Sequence, residues 1–153
     1  MKRFLFLGLC LVFVGAALAD SVIFKSITPG VAQINAATTN NTAGTTYYFA
    51  QPQGAVRLYL TADGAAGTTS GALTVKFSTA SGLEATTNNF DSAQLSQIVL
   101  TINADASTTN TVTVSDWFNM TGVRYLRVGR IENTSGAAWS NITVRIGYPS
   151  GGR

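Results

Sequence analysis

Gly122 to Tyr148, GVRYLRVGRIENTSGAAWSNITVRIGY, is the stretch whose reading decides the fold class. In its second half Ile142, Val144, Ile146 and Tyr148 alternate with Thr143, Arg145 and Gly147, the period-two pattern of a strand with one buried face. In the first half Leu126 and Val128 alternate with Arg127 and Gly129, but Tyr125 and Ile131 blur the pattern. Partial cover on both faces accounts for that, and so does a bulge near Gly129. Between the halves, Asn133, Thr134, Ser135 and Gly136 are turn-formers, because Asn and Gly tolerate positive φ and short hydroxyls bond back to the chain. The expectation is two long strands joined as a hairpin.

Working outward, the same alternation recurs in shorter runs. Val56, Leu58 and Leu60 alternate with Arg57, Tyr59 and Thr61, and Leu73, Val75 and Phe77 with Thr74, Lys76 and Ser78. The loop Ala62 to Gly71 between them predicts a long-looped hairpin. Ile98, Leu100 and Ile102 mark another strand, and Val112 with Val114 a further one across the polar loop Asn103 to Asn110. Trp117, Phe118 and Met120 then carry the chain over the end of the fold. Ser21 to Ile27, SVIFKSI, is β-prone and stops at Thr28, Pro29 and Gly30, which suits an edge strand or a free arm. Asn35 to Thr46 reads as an exposed loop before Tyr47, Tyr48 and Phe49, and Ser81 to Gln97 as a crossover with at most one helical turn.

Seven to nine short strands with Gly-, Thr- and Asn-rich connections predict an all-β, antiparallel β-sandwich, jelly-roll-like or Ig-like. The expected core is Val56, Leu58, Leu60, Leu73, Val75, Phe77, Ile98, Leu100, Ile102, Val112, Val114, Leu126, Val128, Ile142, Val144 and Ile146.

The chain has 153 residues, and residues 1–19 read as a signal peptide. Lys2 and Arg3 give a positive start, Phe4 to Ala17 an apolar run, and Ala17-Leu18-Ala19 a small-x-small cleavage site. The apolar run is too short to span a bilayer. Residues 20–153 then form a single exported β-sandwich domain, secreted, extracellular or at the cell surface, with no membrane contact after the signal is removed. Cys10, the only cysteine, leaves with the signal, so neither disulfide nor thiol remains to the domain.

Charge is sparse, with Asp, Glu, Lys and Arg at 11% of residues, where about 25% is usual. Two of the ten bases lie in the signal segment and none of the seven acids does, so the formal net charge falls from +3 to +1 on processing. That argues against nucleic acid as a partner, which requires a basic patch. Arg124, Arg127 and Arg130 cluster, but strict alternation places Arg127 opposite the other two unless a bulge intervenes.

With no histidine in the chain, Ser-His-Asp and Cys-His mechanisms and His-based zinc sites are excluded. Asp63, Glu84, Asp91, Asp105, Asp116 and Glu132 are scattered, so a glycosidase-like carboxylate pair has no support from spacing. No catalytic residue, cofactor or metal ligand is therefore assigned. Asn88, Asn89 and Asp91, and Asn103 with Asp105, are the nearest approaches to a calcium loop, and Asx-turns explain them as well. Trp117, Trp139, Tyr47, Tyr48 and Tyr59 offer an aromatic platform for glycans if they share an exposed face, edge packing being their ordinary role. Sequons stand at Asn40, Asn119, Asn133 and Asn141.

Gly136 followed by Ile142, Val144, Ile146 and Tyr148 resembles the assembly strand of chaperone–usher fimbrial subunits. The low-charge composition behind a signal segment is similar too. Residues 123–147, with VRYLRV, an Asn-Thr turn and ITVRIG, resemble the end of small phage structural proteins. Both resemblances imply assembly and self-association rather than catalysis. The expected function is a non-enzymatic structural subunit of an extracellular surface assembly or filament, joined through β-strand edges. Val22, Ile23, Phe24 and Ile27, or Ile142, Val144, Ile146 and Tyr148, are the candidate assembly strands. The alternatives are a secreted carbohydrate-binding module and a virion surface or decoration protein.

Export should yield a chain beginning at Asp20. Intact-mass measurement of secreted material checks this, and a species still starting at Met1 would refute it.

Overall fold

The computed structural model describes residues 22–50, 54–64, 70–80, 98–105 and 110–149. Residues 1–19, expected to be a signal segment, residues 81–97, expected to be a crossover, and the candidate group Asn88, Asn89 and Asp91 lie outside the described residues. Among the described residues nine strands follow in order: β1 (Val22–Ile27), β2 (Thr38–Asn40), β3 (Tyr47–Tyr48), β4 (Ala55–Gly64), β5 (Ala72–Ala80), β6 (Val99–Asn103), β7 (Thr111–Asn119), β8 (Tyr125–Asn133) and β9 (Trp139–Pro149). They form two antiparallel sheets. Sheet A has the order β1-β9-β4-β7, and sheet B the order β2-β8-β5-β6, with β3 also on β8. Because β2 and β3 share one side of β8, they act as a single broken strand. The chain changes sheet at every connection except β2 to β3 and β5 to β6, which is the winding of a jelly roll.

This order overturns both expected hairpins. β8 and β9 lie in different sheets, as do β4 and β5, so each pair faces across the core instead of sharing a ladder. At the β8–β9 corner the reason is a set of buried polar side chains. Asn133 is 2% exposed, Ser135 1% and Trp139 0%, whereas a hairpin turn at a sheet end would leave such groups wet. Trp139 Nε1–H donates to Ser135 Oγ at 3.0 Å, and Ser135 Oγ–H to Asn133 Oδ1 at 2.6 Å. Asn133 Nδ2 donates to the carbonyls of Asn35 and Ala137, both at 2.8 Å, and its Oδ1 also accepts the Ser135 N–H. The Asn133 amide is thus fully engaged and turned inward, which closes that sequon to modification in the folded domain.

The inward-facing alternate residues fill the space between the sheets. Thirteen of the sixteen expected core residues are buried, while Ile98, Val112 and Val114 are half-buried beside them. Val112 and Val114 sit on β7, one of the two outermost strands of sheet A, where the core thins. Ala62 continues the β4 alternation, and Ile27, Ile34, Phe49, Met120, Ile131 and Trp139 complete the core without an alternation that marks them in sequence. Trp117 and Phe118 belong to β7 and do not cap the fold. Thr38–Asn40, expected as loop, pairs with β8.

Two bulges adjust the pleat. Between β5 and β8, Lys76 pairs with Arg130 and Phe77 with Val128, so Gly129 is the extra residue, and of the two readings of the blurred alternation it is the bulge that the register shows. It places Arg127 and Arg130 on the same outer face, correcting the strict alternation. The second lies where Thr61 pairs with Thr143 and Asp63 with Ser140, at Asn141, whose φ of 49° a short amide residue tolerates.

Asn133→Ala removes four hydrogen bonds from a buried corner and should destabilise the domain by about 3 kcal/mol. Trp139→Phe, losing only the N–H and part of the ring, should cost about 2 kcal/mol. Urea denaturation checks both, with Thr39→Ala on an exposed strand expected to be neutral.

Candidate functional site

The outer face of sheet A is built by strand register. Phe24 pairs with Gly147, Gly147 with Arg57, and Arg57 with Trp117, so these residues form one row across the sheet. Ser26, Arg145, Tyr59 and Ser115 form the next. Gly147 carries no side chain, and the Phe24 and Tyr59 rings close over it. A Cβ there would lie 3.1 Å from Tyr59 Cε2 and 3.2 Å from Phe24 Cε1. The two rings meet edge to face with centroids 5.5 Å apart.

Arg57 is held in place by its Nε–H, which donates to Ser115 Oγ at 3.0 Å. Its guanidinium then lies 5.4 Å from the Tyr59 ring centre and 5.9 Å from that of Trp117. Phe24 is 54% exposed and Trp117 55%. Beside Phe24 lies a groove of about 480 Å³, whose polar lining includes Ser26, Thr28, Thr143 and Arg145. The face therefore offers apolar rings, two guanidinium groups and hydroxyls, which suits stacking and hydrogen bonding more than bond-breaking chemistry.

Of the expected platform, only Trp117 and Tyr59 share this surface. Trp139 is in the core, because its indole bridges the β8–β9 corner. Tyr47 points inward beside Leu126, packs edge to face on Phe49 at 5.0 Å, and meets the Tyr148 hydroxyl at 3.1 Å. Burial and that contact push the Tyr47 hydroxyl well above the usual tyrosine range. Tyr48, 51% exposed, stacks on Tyr125 across the outer face of sheet B. Phe24 and Arg57 were missed as platform members because only pairing register places them beside Trp117.

Of the expected assembly strands, Ile142, Val144, Ile146 and Tyr148 lie on β9, which is paired on both sides and directs them toward the core. β9 thus presents no edge for a second chain. Val22, Ile23, Phe24 and Ile27 lie on β1, which pairs with β9 of its own chain and has no strand on its other side among the described residues.

No family model matches this chain, and no curated protein matches its sequence.

Asp63, Asp116 and Glu132 are separately engaged. Asp63 accepts hydrogen bonds from Asn141 and Thr111, which hold it below its ordinary range, and Asp116 accepts the Trp117 N–H at 2.7 Å. No group of three or more metal-ligating acids, cysteines or histidines occurs among the described residues, and Asn103 with Asp105 belongs to none. On the outer face of sheet B, Lys76 Nζ lies 2.9 Å and Arg130 Nη1 3.3 Å from Glu132 Oε1.

The Lys76 hydrogen bond, opposed by desolvation and helped by Arg130, lowers the Glu132 pKa from its ordinary 4.5. A carboxyl depressed on folding stabilises above its unfolded pKa, and that contribution is lost as pH falls through the folded value. Glu132→Gln should therefore cost under about 1 kcal/mol at neutral pH. The difference from the parent should shrink as pH falls through the lowered folded-state value, as read by denaturation midpoints. A gap persisting in acid would mean that the ion pair is not its source.

Proposed function

We propose that this domain is a non-enzymatic structural subunit of an extracellular surface assembly or filament, associating through its sheet edges. One observation carries the reading. Val22, Phe24, Tyr48 and Trp117 are the exposed large apolar side chains among the described residues, and three of them stand on β1 and β7, the outermost strands of sheet A. Exposed apolar surface marks places that another surface covers. An open strand edge offers the same partner a row of N–H and C=O groups. The signal segment and sparse charge support export and close packing of copies. A virion surface or decoration protein would use the same edges on a different particle.

A glycan-binding module is the second reading, favoured by Trp117, Arg57, Tyr59 and Phe24 on one exposed face beside the groove. Pyranose rings stack their C–H faces on such side chains. Tyr59 separates the two readings because it sits on β4, an inner strand that no edge contact requires.

Sedimentation analysis should show concentration-dependent self-association that weakens with Trp117→Ala and persists with Tyr59→Ala. A parent chain that stays monomeric at the highest attainable concentration would refute assembly. Binding to a polysaccharide array that both substitutions abolish would establish the glycan reading instead.

A further inference from the structure

We propose, on the footing of the assembly reading above, that the two edges of sheet A, unpaired among the described residues, are complementary halves of one joint. β1 of one copy adds antiparallel to β7 of the next, with Lys25 opposite Asp116.

Strand direction permits this. All three pairings in sheet A are antiparallel, so β1 and β7 run in opposite directions. A second copy displaced along the sheet therefore brings its β1 beside β7 antiparallel, with the same face turned inward.

Hydrogen-bond phase permits it too. Along a row of an antiparallel sheet, hydrogen-bonded and non-hydrogen-bonded pairs alternate. Sheet A has four strands, an even number, so the alternation continues through the joint without a shift. Met120 N–H reaches the Gly54 carbonyl on the β4 side, so by alternation the Trp117 N–H turns to the opposite side, where the Asp116 carboxylate takes it at 2.7 Å. In the joint it would pass to the Phe24 carbonyl of the neighbour.

Side chains then select the register. Lys25, Ile146, Leu58 and Asp116 occupy one row on the core-facing side of the sheet, with a cation at one edge and an anion at the other. The two charges stand three strand spacings apart, about 14 Å, and neither has an ion-pair partner among the described residues. Continuing the rows places Lys25 opposite Asp116 in a non-hydrogen-bonded pair, where side chains approach most closely. The same register places Phe24 opposite Trp117 and Ile23 opposite Phe118, and it sets Ser26 against Ser115. A slip of two residues keeps the phase but puts Lys25 opposite Val114 or Phe118.

An inward-pointing charge on an edge is ordinarily a block to pairing. Opposite signs in one row do more, because like edges repel and only the unlike edges match. Such a contact is heterologous and does not close on itself, so it propagates.

Charge exchange tests the joint in protein recovered from cells expressing the full chain. Lys25→Glu and Asp116→Lys should each weaken self-association about tenfold or more. Their equimolar mixture should recover association close to the parent's, because every joint in an alternating array is again matched. Lys25→Cys mixed with Asp116→Cys should form a disulfide between the two variants, since the processed chain has no other thiol and Cα atoms in such a pair lie within bridging range. If the parent associates but the mixture does no better than either variant, or disulfides form only within one variant, the joint is wrong and the assembly reading stands. A strictly monomeric parent removes both.

Discussion

The buried relay from the Trp139 indole through the Ser135 hydroxyl to the Asn133 amide is the constraint on which the sandwich depends. β8 and β9 are inner strands of opposite sheets, so the corner between them sets where each sheet lies over the other. Trp139 also exchanges backbone hydrogen bonds with Ile34 at 3.0 Å, and Ser135 O accepts from Ala37 N. The segment between β1 and β2 is thereby fastened to the same corner. In a low-dielectric interior a fully satisfied polar network rigidifies, whereas one missing partner leaves desolvated groups behind. The corner therefore carries geometric information that the aliphatic core, tolerant of repacking, does not.

Strand positions were legible wherever one face is buried and the other wet, because the pleat then writes a period of two. β4, β5, β6 and β9 are such strands. Pairing partners were not legible, since a crossing between sheets and a hairpin ask for similar turn residues. The cue at Asn133–Gly136 was the tryptophan just beyond the turn, a ring too large to stay dry at a hairpin tip. β2 escaped notice because Thr38–Asn40 has no apolar face and is held by backbone pairing to β8.

The candidate surface was half legible. Trp117 and Tyr59 could be named from composition, but the four-residue row Phe24, Gly147, Arg57 and Trp117 joins positions far apart in sequence, and only register assembles it. Lys25 and Asp116 look like ordinary solvated charges until they are seen on opposite edges in a single row. Short-range patterns report which way a side chain points, not which neighbour it meets.

The two tryptophans occupy opposite extremes of solvation, Trp139 at 0% and Trp117 at 55% exposure. They are the only two in the chain. Its fluorescence accordingly divides into a blue-shifted component that dissolved quenchers do not reach and a red-shifted one that they do. The first reports the integrity of the corner between the sheets and the second the solvent access of the β7 strand, so one unlabelled sample carries separate optical signals for the interior and for the surface.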